Sequence, residues 1–385
     1  MDRRTYIKTA GLAGLAGLAG CAGGGPQGTP TETATPTETP TEASGDGGGD
    51  ATETETETPT PTAVPVNVGM VYATGGLGDG SFNDQAQQGV QQAQSDFGIQ
   101  FSEAQPDEVS QFKNFQQQFA QSTDPDYDLI CCIGFLQQSA LQENAPQFPD
   151  QNFMIVDSVV DADNVASYVF AEEEGSYLVG HLAGLLTTTE FEAGAGSTNP
   201  GSTNVGFVGG VESPLIEKFQ AGYEAGVRDA NEDVNVQTSY VGDFNDPAGG
   251  KEAALAMYNS GADIVYHASG NTGTGVFQAA QEQGKFAIGV DRDQSVTKDS
   301  FADVILASMV KRVDTAVYTS VGNVVDDDFQ GGSTTALGLE ADGVGIAYGQ
   351  QLGSAIPGDV KDRITAARDA IVGGEIDPPT DPGNV

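Results

Sequence analysis

From about residue 64 onward, short apolar runs alternate with segments of helical period. The runs 66–73, 127–134, 152–158, 164–171, 205–210, 236–242, 262–269, 285–291 and 304–310 read as strands. Most are continuously apolar rather than alternating, as strands covered on both faces are. Segments 83–97, 135–145, 173–189, 214–230, 248–259, 275–283 and the stretch after Lys311 read as helices, and a Gly-rich turn fills 74–82. Strand-like runs alternating with helical patterns predict an α/β protein with parallel sheets. The stretch 190–204 is rich in Gly, Ser, Thr and Asn and reads as a linker or surface loop. A folded part of about 320 residues is too long for one compact α/β core. Two lobes are expected, one over roughly 64–185 plus 312–337, the other over roughly 186–311 plus the C-terminal part. Ligands of such sheets bind beyond the carboxyl ends of the strands, so two facing lobes make a cleft between them.

The first 63 residues have a different character. Arg3-Arg4 is followed by a weakly apolar Gly/Ala/Leu run, then Leu18-Ala19-Gly20-Cys21, then a Thr/Glu/Pro/Gly tract over 22–63. The run is too short to span a bilayer. In this order the parts read as a twin-arginine export signal with a lipobox (1–21), a lipid-attachment cysteine at Cys21 and a disordered tether (22–63). The expected location is the extracytoplasmic face of the cell membrane, reached through a lipid anchor on Cys21 that needs more than one acyl chain to be stable.

Composition narrows the partners. Asp and Glu number 55 against 15 Lys and Arg, a formal net charge of −40. Such a charge argues against nucleic acid and against direct docking on anionic headgroups. Only eight of the 55 acids lie in the 22–63 tract, so the folded surface is itself acidic, as in proteins of salt-loving organisms. Molar salt shortens the Debye length to about 3 Å and screens that self-repulsion. Cys131 and Cys132 are neighbours on a predicted strand, point to opposite faces and read as small buried residues. Two histidines, His181 and His267, do not make a histidine-rich metal site, and neither metal nor cofactor is expected. The Gly-rich stretches 76–80 and 270–275 lack both G-x-G-x-x-G at a strand–helix junction and a G-K-[ST] ending, so neither reads as a phosphate loop.

Several motifs then occur in one order. They are Val68-Gly-Met-Val-Tyr-Ala-Thr-Gly-Gly-Leu-Gly-Asp-Gly-Ser-Phe-Asn83, Glu172-Glu-Glu-Gly-Ser-Tyr-Leu-Val-Gly180 and Gly206-Phe-Val-Gly-Gly210. Pro214-Leu-Ile-Glu-Lys-Phe-Gln-Ala-Gly-Tyr-Glu-Ala-Gly226, Tyr240-Val-Gly-Asp-Phe-Asn-Asp-Pro247, Gly289-Val-Asp-Arg-Asp-Gln294 and Ser308-Met-Val-Lys-Arg-Val-Asp314 follow. Together they resemble the basic membrane protein family, lipoproteins that include purine nucleoside receptors. The resemblance implies a type I periplasmic-binding-protein fold with two Rossmann-like lobes, and a solute handed to the permease and ATPase of an ABC importer.

Matched motif by motif, the resemblance implies that Phe82 and Phe244 sandwich a flat base, that Asp291 and Lys311 bind a ribose, and that Gly270 brings its backbone close to the ligand. It places Asn83 and Ser139 beside the base. Stacking on two aromatic faces suits a heteroaromatic ring, and a carboxylate at a strand end accepts from both hydroxyls of a diol. Relatives commonly carry Asp at the positions of Ala73 and Ser139, so the base end departs from the family pattern while the sugar end keeps it. The expected function is capture of a nucleoside, a purine nucleoside first. An extracytoplasmic nucleoside hydrolase and a ligand sensor signalling through a membrane partner are the rival classes. The chain lacks a closely spaced acidic cluster of the kind a calcium-dependent nucleosidase needs in its first turn, and no enzymatic activity is expected.

Overall fold

The computed structural model describes residues 65–385. The export signal, Cys21 and the tether lie outside the described residues. The chain runs β1 (Asn67–Val71), α1 (Phe82–Phe97), β2 (Gln100–Ala104), α2 (Phe112–Ala120), β3 (Leu129–Cys132), α3 (Gln138–Asn144), β4 (Asn152–Val156), β5 (Val165–Phe170) and α4 (Glu172–Thr187). A small hairpin, β6 (Glu192–Ala193) with β7 (Gly196–Ser197), leads to β8 (Asn204–Gly209), α5 (Pro214–Ala230), β9 (Asn235–Tyr240), α6 (Pro247–Asn259), β10 (Ala262–Ala268) and α7 (Gly273–Gln283). Then come β11 (Phe286–Asp291), α8 (Gln294–Thr297), β12 (Ile305–Lys311), α9 (Val313–Val325), β13 (Thr334–Leu337), β14 (Val344–Tyr348) and α10 (Gly358–Val372).

Two six-stranded sheets result, ordered β2-β1-β3-β4-β5-β13 and β9-β8-β10-β11-β12-β14. All pairings are parallel except β12 with β14. Each sheet therefore reverses its strand order once, between β1 and β3 in the first and between β8 and β10 in the second. These switch points open crevices at the carboxyl ends of the strands. The inner strands are buried, as in Leu129–Cys132 and residues 153–156, which explains their unbroken apolar sequence.

The chain crosses between lobes three times: at Ala171, at Arg312, and between β13 and β14. The crossings lie side by side and share backbone hydrogen bonds. Ala171 N–H donates to Leu337 O at 3.1 Å and Arg312 N–H to Gly343 O at 2.8 Å. The first crossing comes earlier than the boundary near 185 read from the sequence, because α4 packs against α5, β12 and β14 of the second lobe. The Gly/Ser/Thr stretch that attracted that boundary is a surface excursion carrying the β6–β7 hairpin. Helix α9 returns to the first lobe and packs on α1. Among the described residues no helix is long and apolar enough to cross a membrane.

Helices α4 and α5 meet through glycine. A Cβ at Gly180 would lie 2.2 Å from Tyr223 O, and one at Gly226 would lie 2.1 Å from Tyr177 O. Neither backbone can withdraw, since each belongs to a helix buried in the same core. Gly226→Ala is expected to destabilise the protein by about 1–3 kcal/mol through overpacking. Denaturant unfolding in molar salt measures this, and an unchanged midpoint would contradict it.

Candidate functional site

The turn after β1 is wound tightly by two aspartates. Gly76, Gly78 and Gly80 all adopt positive φ, a region that side chains disfavour. Asp84 accepts from Gly78 N–H at 2.7 Å and Gly80 N–H at 2.8 Å. Buried Asp79 accepts from the amides of Ser81 and Asn83, each at 2.9 Å, and so holds the first turn of α1. Burial raises the Asp79 pKa, and the Asn83 and Ser81 amides oppose that rise. This bracing sets Phe82 at the mouth of the first switch point. It also occupies Asn83, whose Oδ1 accepts from Ala73 N–H at 2.9 Å while its Nδ2 meets Asp79 at 3.2 Å.

A cavity of about 650 Å³, its open mouth included, lies between the lobes. Phe82, Asn83, Phe244, Gly270, Asp291 and Lys311 all line it, brought together from five separate stretches of chain. Ser139 does not line it. It is exposed on α3, and the wall there is built by Gly134, Phe135 and Leu136, which precede the helix. The cavity is two-ended. One end is apolar, with Phe135 and Phe244 in contact and Ala73, Gly134, Leu136 and Leu215 in its walls; at the other Lys311 gathers Asp157 and Asp291, while Asp79, bonded to Asn83, lines the wall beside Ala73. Phe244 lies edge-on to Phe135 with centroids 6.4 Å apart, which joins the two lobes across the apolar end. Its ring packs on Gly210, where a Cβ would lie 2.4 Å from the Phe244 ring.

Lys311 ends β12 and is 1 % exposed. Its Nζ lies 2.6 and 2.7 Å from the two carboxylate oxygens of Asp157 and 3.0 Å from Glu172 Oε1. The rings of Phe82, Phe170 and Phe219 surround it with centroids 5.1–5.4 Å away. Glu172 also binds Lys218 at 2.7 Å, and Lys218 reaches Glu173 at 3.2 Å. Burial alone would lower the Lys311 pKa, but Asp157, Glu172 and Asp291 outweigh it and raise the value. Burial pushes Asp157 up to about 6 against the pull of Lys311, with Glu172 adding to the rise.

Asp291 ends β11 with φ +65° and Asp157 follows β4 with φ +66°. Both turn sharply from a strand end toward the cleft. Ser81 Oγ donates to Asp291 Oδ2 at 2.5 Å, a bond between the lobes. Oδ1 of Asp291 has no hydrogen-bond partner among the described residues. Burial pushes the Asp291 pKa up to about 7, only partly offset by Lys311 and Ser81. Sequence reasoning missed Asp157, Phe219, Phe135 and Ser269. Asp157 carried a readable signal, since it stands at the carboxyl end of the strand read over 152–158.

A two-lobed α/β fold with a buried cleft at facing strand ends defines a solute-binding protein of the periplasmic-binding-protein type. A solute-binding protein of an ABC transporter system from Aeropyrum pernix K1 superposes with a TM-score of 0.72 at 28% identity, covering 82% of this chain and 94% of that one. The family model described as ABC transporter substrate-binding protein PnrA-like matches residues 66–374, and the chain belongs to this family of substrate-binding proteins. Among its relatives, a CD4+ T-cell-stimulating antigen of Listeria monocytogenes is 36% identical over 82% of this chain and 88% of its own length. The ABC transporter nucleoside-binding protein BmpA of Lactococcus lactis is 33% identical over 79% of this chain and 86% of its own.

The Asp291 shift has a testable sign. Its folded pKa of about 7 stands above the ordinary carboxylate value of 3.8, so the native state holds the proton more tightly than the unfolded chain. The associated stability is complete below the unfolded value and is lost as pH rises through the folded one. Asp291→Asn keeps the acceptor for Ser81 and removes the ionisation. The variant is expected to match the parent near pH 4 and to exceed it above pH 7, by up to about 4 kcal/mol. Unfolding midpoints across that range in molar salt measure the difference; a constant gap would contradict it.

Proposed function

We propose that this protein captures a nucleoside, with purine nucleosides first, in the interlobe cavity and delivers it to the permease and ATPase of an ABC importer. The carrying observation is the two-ended cavity. Its aromatic end, with Phe82 and Phe244, suits a flat heteroaromatic base; stacking contributes about 0.5–1.5 kcal/mol beyond burial. Its polar end carries the Asp291 carboxylate, an acceptor suited to the hydroxyls of a sugar, with the Lys311 ammonium within its electrostatic reach. The L. lactis relative named as nucleoside-binding supports the same class. The sequence pattern around Cys21 supports lipid anchoring on the extracytoplasmic face.

In this reading the base and the sugar are held by different elements. Phe82 comes from the first lobe and Phe244 and Asp291 from the second, so a ligand touching all three favours the closed arrangement of the lobes. Gly270, at φ +56°, lets the backbone after β10 approach the ligand where a side chain would intrude.

Calorimetric titration with purine and pyrimidine nucleosides and their free bases, in molar potassium chloride, tests the proposal. A nucleoside is expected to bind and its free base to bind far more weakly. Asp291→Ala is expected to cost about 2 kcal/mol or more, a roughly 30-fold rise in Kd, because the sugar hydroxyls lose a charged acceptor. Absence of nucleoside binding by folded protein, or an unchanged Kd in the variant, would refute it. Release of free base and ribose during the titration would point to a hydrolase instead.

A further inference from the structure

One polar side chain on the cavity wall has no part in the reading above. Ser269 follows β10 and occupies the position before the short 3-10 turn Gly270–Thr272, where a serine hydroxyl ordinarily caps the next amides. It caps none of them. Its Oγ lies 3.2 Å from Nδ1 of His267 instead. On the far side of the ring, His267 Nε2 lies 2.9 Å from Gln294 Oε1. That oxygen also accepts the backbone N–H of Val290 at 2.8 Å, which fixes the orientation of the Gln294 amide. Gln294 Nε2 then faces the carbonyl of Gly80 in the other lobe, at 3.4 Å.

The proton positions follow from this chain of contacts. An amide oxygen only accepts, so the His267 nitrogen facing it carries the ring proton. Both ring nitrogens meet neutral groups and the ring is fully buried, so a second proton would make an unpaired buried charge. Burial holds the imidazole pKa down to about 4, against the pull of the Gln294 hydrogen bond and aided by Lys298. Nδ1 is therefore a bare lone pair, and Ser269 donates its hydroxyl proton to it. A serine has a single proton to give.

We propose that Ser269 is an obligate hydrogen-bond acceptor in the ligand cavity, selecting a solute that offers an N–H or O–H group at the second-lobe wall. His267 and Gln294 are positioning residues that fix this polarity. The strand order places the end of β10 between those of β8 and β11, and Thr272 N–H donates to Phe244 O at 3.1 Å, so Ser269 stands between the loop carrying Phe244 and the carboxylate of Asp291. A ligand with a ring nitrogen lone pair or a carbonyl oxygen there meets a second lone pair and is rejected. The inference deepens the nucleoside reading and rests on it for the ligand class, but the polarity itself stands on the protein alone.

Two measurements test it on the full chain. Nitrogen-15 histidine spectra are simple here because the chain has two histidines, and His181→Gln identifies the His267 signals. His267 is expected as the Nε2–H tautomer from about pH 5 to 8; an Nδ1–H tautomer, or a ring that gains a proton in that range, overturns the proposal. In the second, wild-type protein and Ser269→Ala are titrated with adenosine, inosine and analogues lacking one donor each, by N-methylation or by removal of one sugar hydroxyl. The variant is expected to lose roughly tenfold in affinity for ligands that keep the donor and nothing for the analogue that lacks it. Equal loss for every ligand, or no loss for any, overturns the proposal. If the wild type binds none of them the nucleoside reading fails, and the tautomer still decides the polarity of Ser269.

Discussion

The ion cluster around Lys311 is the constraint on which the rest of the structure depends. It lies where the crossings meet: Glu172 begins the helix after the first, Lys311 ends the strand before the second, and Asp157 reaches in from the first lobe. A buried ion pair contributes little net stability when complete, but loss of one partner leaves an uncompensated charge and costs about 3–5 kcal/mol. The cluster therefore works as a specification of geometry: the crossings must sit where all three charges are satisfied. Two lysines, Lys311 and Lys218, face the carboxylates of Asp157, Glu172 and Glu173, with Asp291 close by. Burial is the main reason that Asp157 and Asp291 are pushed toward keeping their protons, and the outnumbered cations offset it only in part.

The same imbalance links stability to recognition. A sugar hydroxyl that donates to Asp291 supplies part of the positive potential the site lacks, as Ser81 already does at the other carboxylate oxygen. Asp157 and Asp291 also sit at positive φ, a conformation that costs a non-glycine residue about 1–2 kcal/mol, less for Asp than for most. Strain of this kind persists only where surroundings enforce it, and here the enforcing groups are the lysine and the strand ends. Both aspartates are held away from their easiest backbone geometry so that their carboxylates face the cleft.

Much of this was legible in the sequence, for definite reasons. The buried parallel strands read clearly because both faces are covered and the runs are unbroken. The edge strands did not: β2 is Gln-Phe-Ser-Glu-Ala and β13 is Thr-Thr-Ala-Leu, both largely exposed and too polar to stand out. The final strand β14 and helix α10 follow a region with no motif. The first crossing was misplaced because a Gly-rich loop looks more like a boundary than does Ala171, which passes between lobes in a single residue. Among the site residues, those named by motif came to the cavity except Ser139. Family position carries a residue to the right loop but not to the right side of it, and the 3-10 turn before α3 presents Phe135 and Leu136 inward instead. Phe219 was hidden because its neighbours in space are far away in sequence, whereas Asp157 stood at a readable strand end and was passed over.

The departure that the family resemblance implies at Ala73 has a local consequence that geometry makes specific. A Cβ added to Gly134 would sit 3.4 Å from both Ala73 Cβ and Phe82 Cε1, so these small residues form the seat of the Phe82 ring. An acid at 73 would stand beside that ring, near Asp79, in a region where Asp79 is already buried and short of compensating charge. Under the proposed function, Ala73 leaves shape and stacking to read the base, and directional recognition falls to the second lobe, where Asp291 and the Ser269–His267–Gln294 chain are proposed to present acceptors. The solute this proposal calls for has one flat face without a required charge partner and an edge rich in donors, which is a narrower description than the fold alone provides.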